Sequence, residues 1–166
     1  MTSAGEFRSG LPAADGSMRA MAARGLDLGG HLSRTVASEH LVEADLVLAM
    51  ARRHVRQAVI TTPEVWPRTF TLKELVRRGE AAGPRPAGQP LHDWLARVHL
   101  GRQTADLVGD HPDDDIEDPI GASDRVYEAV AAEIEDLIRR LVAVAFADGA
   151  PSLDAAVAKG PAHKEG

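Results

Sequence analysis

The stretch Ala44-Asp45-Leu46-Val47-Leu48-Ala49-Met50 decides the fold. After its opening residues it is wholly apolar, and it leads into a polar segment, Arg52 to Ile60, where Val55, Ala58 and Val59 recur at helical spacing. A short unbroken apolar run followed by an amphipathic helix predicts a strand buried on both faces of a parallel sheet, because crossover helices cover both sides of such a sheet. Pro63 closes the helical segment, and Arg68-Thr69-Phe70-Thr71-Leu72 offers a second, shorter strand. Strand, helix and strand in this order predict an α/β layer architecture.

Working upstream, Asp15 to Gly25 predicts a short amphipathic helix with Met18, Met21 and Ala22 on one face and Gly25 as a left-handed terminator. Downstream, Lys73 to Arg78 predicts a turn or two of helix. Gly79 to Pro90 then collects three Gly and three Pro and predicts a flexible connection. Trp94, Leu95, Val98 and Leu100 predict a further helix within Asp93 to Leu107 that covers one side of the domain. The strongest periodicity comes last. Ser123 is read as a cap for a helix to about Ala145 that buries Val126, Val130, Ile134, Leu137 and Leu141 on the sheet and leaves Arg125, Glu128, Glu135 and Arg139 in water. The composition of residues 148–166 predicts a disordered tail, and one domain over residues 1–147 suits the length.

The chain has 166 residues, 44% of them hydrophobic, and 19 Lys plus Arg against 25 Asp plus Glu give a net charge of -6. That balance disfavours a nucleic-acid backbone or an anionic membrane surface as partner. The longest apolar stretch, Leu141 to Ala147, is too short to span a bilayer, and no signal-peptide pattern opens the sequence, so a cytoplasmic protein is expected. There is no cysteine, which excludes disulfides, thiolate metal sites and thiol nucleophiles from these residues. His92 and His99 lie seven apart and His111 stands near Asp113-Asp114-Asp115, but the spacing fits no familiar ligand pattern. They are read as solvated side chains and a charged loop, with no metal and no cofactor. His31 and His54 are read as packing or polar-network residues.

Several short blocks, in their order, resemble the low-molecular-weight protein tyrosine phosphatases. Thr2-Ser3-Ala4-Gly5 is similar to the Ser-Ala-Gly segment that ends the family's second strand, and Gly25-Leu26-Asp27-Leu28-Gly29-Gly30-His31-Leu32-Ser33-Arg34 resembles its Gly-Ile-Asp-Leu-Ser-Gly-His-x-x-Arg stretch. Ala44 to Met50 with His54 resembles the third strand and the next helix, and Phe70-Thr71-Leu72-Lys73-Glu74-Leu75 the fourth-strand region. Asp118-Pro119-Ile120-Gly121 before the final helix resembles the Asp-Pro loop. The resemblance covers about residues 2 to 145, with residues 79–113 as an insertion of loop and helix. It implies a helix-rich α/β fold, a parallel sheet flanked by helices, incomplete because the first strand and first helix are missing. Met1 to Gly5 would be a remnant of the second strand, and an unpaired interior strand edge implies marginal stability.

The resemblance further implies phosphate monoester hydrolysis through a cysteinyl-phosphate in the family, with phosphotyrosine proteins or small aryl phosphates as partners only if the family's full N-terminus is present. Asp118 is the general acid it assigns, and Phe7 is the candidate aromatic wall beside the substrate ring. The family opens with a strand leading into Cys-x-x-x-x-x-Arg, whose thiolate attacks phosphorus and whose backbone N–H groups hold phosphate, and this block has no counterpart here. A thiolate at a helix N-terminus is both activated and set beside an anion site, so the 166 residues are expected to be inactive alone. Ile120 also stands where the family often has Tyr. Two origins remain open, a misplaced start and a genuine truncation. Met1 stands where the family has a β-branched residue such as Val, and a GTG codon read as the start would explain it. The alternative function is a non-catalytic protein-binding module on the same scaffold.

Overall fold

A computed structural model describes residues 9–109 and 112–147 of the chain. The elements run α1 (Asp15–Ala22), α2 (Ser38–Glu43), β1 (Val47–Ala49), α3 (Arg52–Thr61), a 3-10 segment (Pro63–Arg68), β2 (Thr69–Thr71), α4 (Leu72–Ala82), α5 (Leu91–His99), a second 3-10 segment (Thr104–Leu107) and α6 (Asp124–Ala145). Among the described residues the sheet has two strands, β1 and β2, paired in parallel with Val47 opposite Thr69, Leu48 opposite Phe70 and Ala49 opposite Thr71. This is the predicted α/β arrangement, helix-rich and built on a parallel strand pair.

The alternation of β1 explains the layers. Val47 packs with Leu41, Ala58 and Val65, and Ala49 with Val55 and Leu107, so these side chains meet α3. Leu46 and Leu48 pack on the opposite face, against a core that includes Phe70, Leu72, Leu75, Val76, Trp94, Leu95, Leu137 and Leu141. Side chains at i and i+2 share a face of a strand, so one apolar run serves two cores. The strand is less enclosed than its sequence predicts. Ala49 is buried, but Val47 and Leu48 are half-buried, because among the described residues β1 has a strand on one side only. By contrast Thr69, Phe70 and Thr71 have no exposed surface.

α4 follows β2 without a loop. The Thr71 hydroxyl accepts the N–H of Glu74 at 3.1 Å, which satisfies one of the helix's free donors. The helix runs to Ala82, past the Gly79 where the sequence predicts a flexible connection, and Gly83 at φ +83° ends it. Gly79 is inside the helix because Trp94 of α5 lies against it: a Cβ there would stand 2.9 Å from the Trp94 ring. Trp94 is fully buried and its indole N–H donates to Gly83 O at 3.0 Å, so the ring's one polar atom has a partner.

The helix predicted within 93–107 is shorter. It ends at His99, Leu100 is 73% exposed, and Gly101 turns the chain at φ +79°. The turn exists to deliver Arg102. Its guanidinium is clamped by both carboxylate oxygens of Glu74 at 2.8 and 3.0 Å, donates to Thr69 O and Trp66 O, and lies 3.7 Å from the Trp66 ring centre and 4.0 Å from that of Phe70. A helix continued through 102 would not place this cation there.

α6 matches its periodicity closely. Val130, Leu137 and Leu141 are buried, Val126 and Ile134 are half-buried against the same core, and Arg125, Glu128 and Arg139 are exposed, with Glu135 intermediate. Ser123 takes the N-cap position through its carbonyl, which accepts from Val126 and Tyr127, but its hydroxyl makes no capping bond. The N-terminal α1 packs on α6 through Gly16 and Ala20 against Tyr127 and Ala131, with Met21 beside them. Ala22, predicted on that face, is exposed. The helix is turned so that its smallest side chains meet the tyrosine ring. Gly25, at φ +73°, ends the helix region as predicted, and Leu26 N–H returns to Met21 O. No helix among the described residues is long and apolar enough to cross a membrane. Residues 1–8, 110–111 and 148–166 lie outside the description, and with them Phe7, His111, the predicted strand remnant and the predicted tail.

Two glycines give a direct check on this packing. A Cβ at Gly16 would stand 2.4 Å from the Tyr127 ring, whereas one at Gly30 would meet nothing within 4 Å. Gly16→Ala and Gly79→Ala are expected to lower the urea-unfolding free energy by about 1–3 kcal/mol through overpacking. Gly30→Ala is expected to leave it unchanged or raise it by up to about 1 kcal/mol.

Candidate active site

The C-terminal ends of parallel strands are where open α/β sheets place their ligands, and the chain from Asp114 to Ile116 is held at that end of β1. Ile116 N–H donates to Met50 O at 2.8 Å, just beyond the strand. One residue earlier, an Asp115 carboxylate oxygen accepts the Arg52 N–H at 2.7 Å. α3 begins after Ala51, which has no side chain able to cap it, so Asp115 supplies the acceptor from a distant part of the sequence. Lys73 of α4 holds the same residue by its carbonyl at 2.8 Å and pairs with Glu133 of α6 at 2.7 Å.

Asp114 is the buried member of this acidic run, its side chain 1% exposed. Oδ2 accepts Arg52 Nε at 3.0 Å and Nη2 at 2.7 Å, and Oδ1 accepts Arg77 Nη1 at 2.6 Å. Burial opposes the charge, but the hydrogen bonds from Arg77 and Arg52 outweigh it and hold the carboxyl below its ordinary value. Arg52 Nη1 also reaches Asp106 O at 2.6 Å, and Arg56 Nη1 reaches Leu107 O at 2.9 Å, tying the second 3-10 segment to α3. The acidic run read from sequence as a solvated loop is therefore partly an internal anchor, and the signal for it, arginines at 52 and 77, lies far away in the chain.

Beyond the anchor the chain turns outward. Asp118 is exposed, and its Oδ1 accepts the Ile120 N–H at 3.1 Å, an Asx-type turn that fixes one carboxylate oxygen. Pro119 O accepts from Ala122, Gly121 takes φ +81°, and α6 follows. Ile120 is 76% exposed beside it. The loop thus presents a carboxyl and an aliphatic side chain to solvent, on a base fixed to α3, α4 and the end of β1. An open concavity of about 440 Å³ lies elsewhere, lined by Met18, Ala22 and Gly25 to Gly29, and contains no residue suited to acid–base work except Asp27.

The histidines separate. His92 is on the surface beside Asp93, His31 is exposed, and His54 is half-buried. His99 Nδ1 lies 3.1 Å from Arg102 Nη1, and its ring meets Trp66 edge-on. Burial, then the charges of Arg102 and Arg78, push the His99 imidazole below its ordinary value. Among the described residues no group of three or more His, Cys, Asp or Glu is placed to hold a metal ion.

These two shifts contribute to the acid response. His99 is held neutral in the fold, so its contribution is complete above its unfolded value of about 6.5 and is lost as the pH falls through its lower folded value. Asp114 is held ionised, so its contribution is complete above its unfolded value of about 3.9 and is lost as the pH falls through its lower folded value. Stability measured by urea titration should therefore fall in two steps on acidification, the first absent in His99→Gln. Asp114→Asn should cost about 3–5 kcal/mol near neutral pH, the penalty for breaking a buried pair, and should shrink the second step, to which Glu80 and Glu128, held low by Arg140 and Arg24, also contribute.

The arrangement has relatives. The family model described as low molecular weight phosphotyrosine protein phosphatase matches residues 1–84. Among solved structures, the low molecular weight protein tyrosine phosphatase from T. tengcongensis is 30% identical over 86% of this chain and 75% of its own, with a TM-score of 0.61. The YwlE arginine phosphatase from Geobacillus stearothermophilus is 29% identical over 86% and 71%, with a TM-score of 0.61. A YwlE mutant from Bacillus subtilis is 26% identical over 84% and 72%, with a TM-score of 0.58. No curated protein matches. The parallel strand pair, its covering helices and the match over half the sequence place the chain in the low molecular weight phosphotyrosine protein phosphatase family.

Proposed function

We propose that this chain carries the acid–base half of a phosphate monoester hydrolase, with Asp118 as the general acid, and that its 166 residues do not hydrolyse phosphate esters alone. The observation that carries the reading is an exposed carboxyl on a turn anchored at the C-terminal end of β1, next to the start of α6. In the family's reaction a thiolate forms an S–P bond while the P–O bond to the leaving group breaks, and the aspartic acid gives its proton to the departing oxygen. Water then attacks phosphorus as the same aspartate takes its proton, and the S–P bond breaks. Proton transfer of this kind contributes about 10²–10⁴-fold. It cannot replace the nucleophile, and the sequence has no cysteine. Phe7 is the proposed aromatic wall of the substrate site, residues 79–113 are an insertion in the family scaffold, the protein is cytoplasmic, and phosphotyrosine proteins or small aryl phosphates are its partners only where the family's N-terminal strand and Cys-x-x-x-x-x-Arg loop are present.

Ile120 favours a second substrate class. It offers an exposed aliphatic wall rather than an aromatic one, and two solved structures, 29% and 26% identical, are described as YwlE arginine phosphatase. A phosphorylated guanidinium has no flat aryl ring to stack and still needs a proton on its leaving nitrogen. The absence of cysteine equally favours a non-catalytic module that binds protein partners on the same scaffold.

The 166-residue chain should show no hydrolysis of an aryl phosphate above background, because nucleophile and phosphate cradle are both wanting. A chain extended by the family's first strand and Cys-x-x-x-x-x-Arg loop should be active. In that extended chain Asp118→Asn should slow esters with poor leaving groups by about 10²-fold or more and those with good leaving groups much less. Turnover by the short chain overturns the mechanism, and an inactive but folded extended chain favours the binding module.

A further inference from the structure

Asp114 does more than neutralise two arginines. It stands four residues before Asp118 and is followed at once by the bond from Asp115 to the start of α3 and by the bond from Ile116 to Met50. Its two partners come from helices on different sides of the sheet. Arg52 belongs to α3, which packs on β1 and β2 from one face, and Arg77 belongs to α4, which packs on α6 at the other. A carboxylate gripped from both sides fixes the chain in position and in rotation, as a single contact would not. We propose that Asp114 is the positioning residue for the general-acid loop, setting where Asp118 stands relative to the end of β1.

The proposal rests on the reading of Asp118 given above but makes a separate claim. Arg52 extends its reach, because the same guanidinium that grips Asp114 through Nε and Nη2 donates through Nη1 to Asp106 O. The 3-10 segment and the Asp118 loop therefore share one planar fork, and a shift of either changes the geometry available to the other. Lys could offer charge at this place but not three donors in a fixed plane. The charged groups facing the carboxylate are Arg52 and Arg77, with Glu74 and Asp113 acting on Arg77 from farther off.

The test is amide hydrogen exchange and ¹⁵N relaxation on the full 166-residue chain, which requires no catalysis. Three variants are compared with the parent: Asp114→Asn, Arg52→Lys and Arg77→Gln. The last keeps the Arg52 pair and removes a half-exposed partner, so it stays folded if Asp114→Asn does not. Exchange at Ile116 N–H should rise about 10-fold more than exchange at Val76 and Leu141 in the helical core, the mark of a local opening. Order parameters at Asp118 and Ile120 should fall, and an Arg77→Lys control should recover part of both effects. A uniform rise at all amides, or unchanged order at Asp118 and Ile120, overturns the proposal and leaves Asp114 as a stabilising ion pair only. An extended chain in which Asp118→Asn leaves the turnover of poor leaving groups unchanged would count against Asp118 and not against the anchor, so the two readings fail separately.

Discussion

β2 is three residues long and has no exposed atoms to speak of, and most of the structure answers the demands this makes. A strand so enclosed must find a partner for each backbone polar group, since an unpaired one costs about as much as a lost hydrogen bond. β1 pairs along one edge. Beyond the ladder, the Thr69 carbonyl is met by Arg102, a residue 33 positions later, and the Thr69 hydroxyl by Val65 O. A buried guanidinium has its own demands, which Glu74 meets with a paired contact and Trp66 and Phe70 with their ring faces. The Thr71 hydroxyl then starts α4. One short strand thereby fixes a helix, a turn and the return path of the chain.

The same logic shows which parts could be read in the sequence. β1, α3 and α6 declare themselves because burial there is repetitive: two residues per repeat in the strand, three to four in the helices. Asp118-Pro119 before a helix is similarly local. Arg102 and Asp114 are different. Each is a charged residue among others of its kind, and what buries it is a partner tens of residues away, which no periodicity encodes. The end of α5 is hidden from the sequence for this reason, as apolar spacing continues to Leu100 and Leu107 while the chain turns at Gly101 to bring Arg102 inward. Gly79 misleads in the opposite sense. Glycine between polar residues reads as a break, yet here it is the clearance that lets Trp94 lie against a continuous helix.

The loop proposed to carry the general acid divides into fixed and free parts. Residues 114–116 are bound to β1, α3 and α4, while Asp118 and Ile120 are exposed. A proton donor has to reach solvent to be recharged and has to stand in one place to meet a leaving atom. Separating the anchored carboxylate from the exposed one, four residues apart, satisfies both needs with neighbouring acids of the same type.

Arginines recur where the segment after α4 meets the body of the protein, and many of their acceptors are main-chain oxygens. Arg78 donates to Val98 O and Leu100 O, Arg85 to Ala145 O, Arg97 to Pro84 O, and Arg56 to Leu107 O. A carbonyl is present whatever side chain its residue bears. Residues around these acceptors can therefore change by drift without a compensating change in the arginine, and such contacts leave no paired signature between positions. Methods that infer proximity from residues that change together would see this segment as loosely attached, although it is fastened at many points.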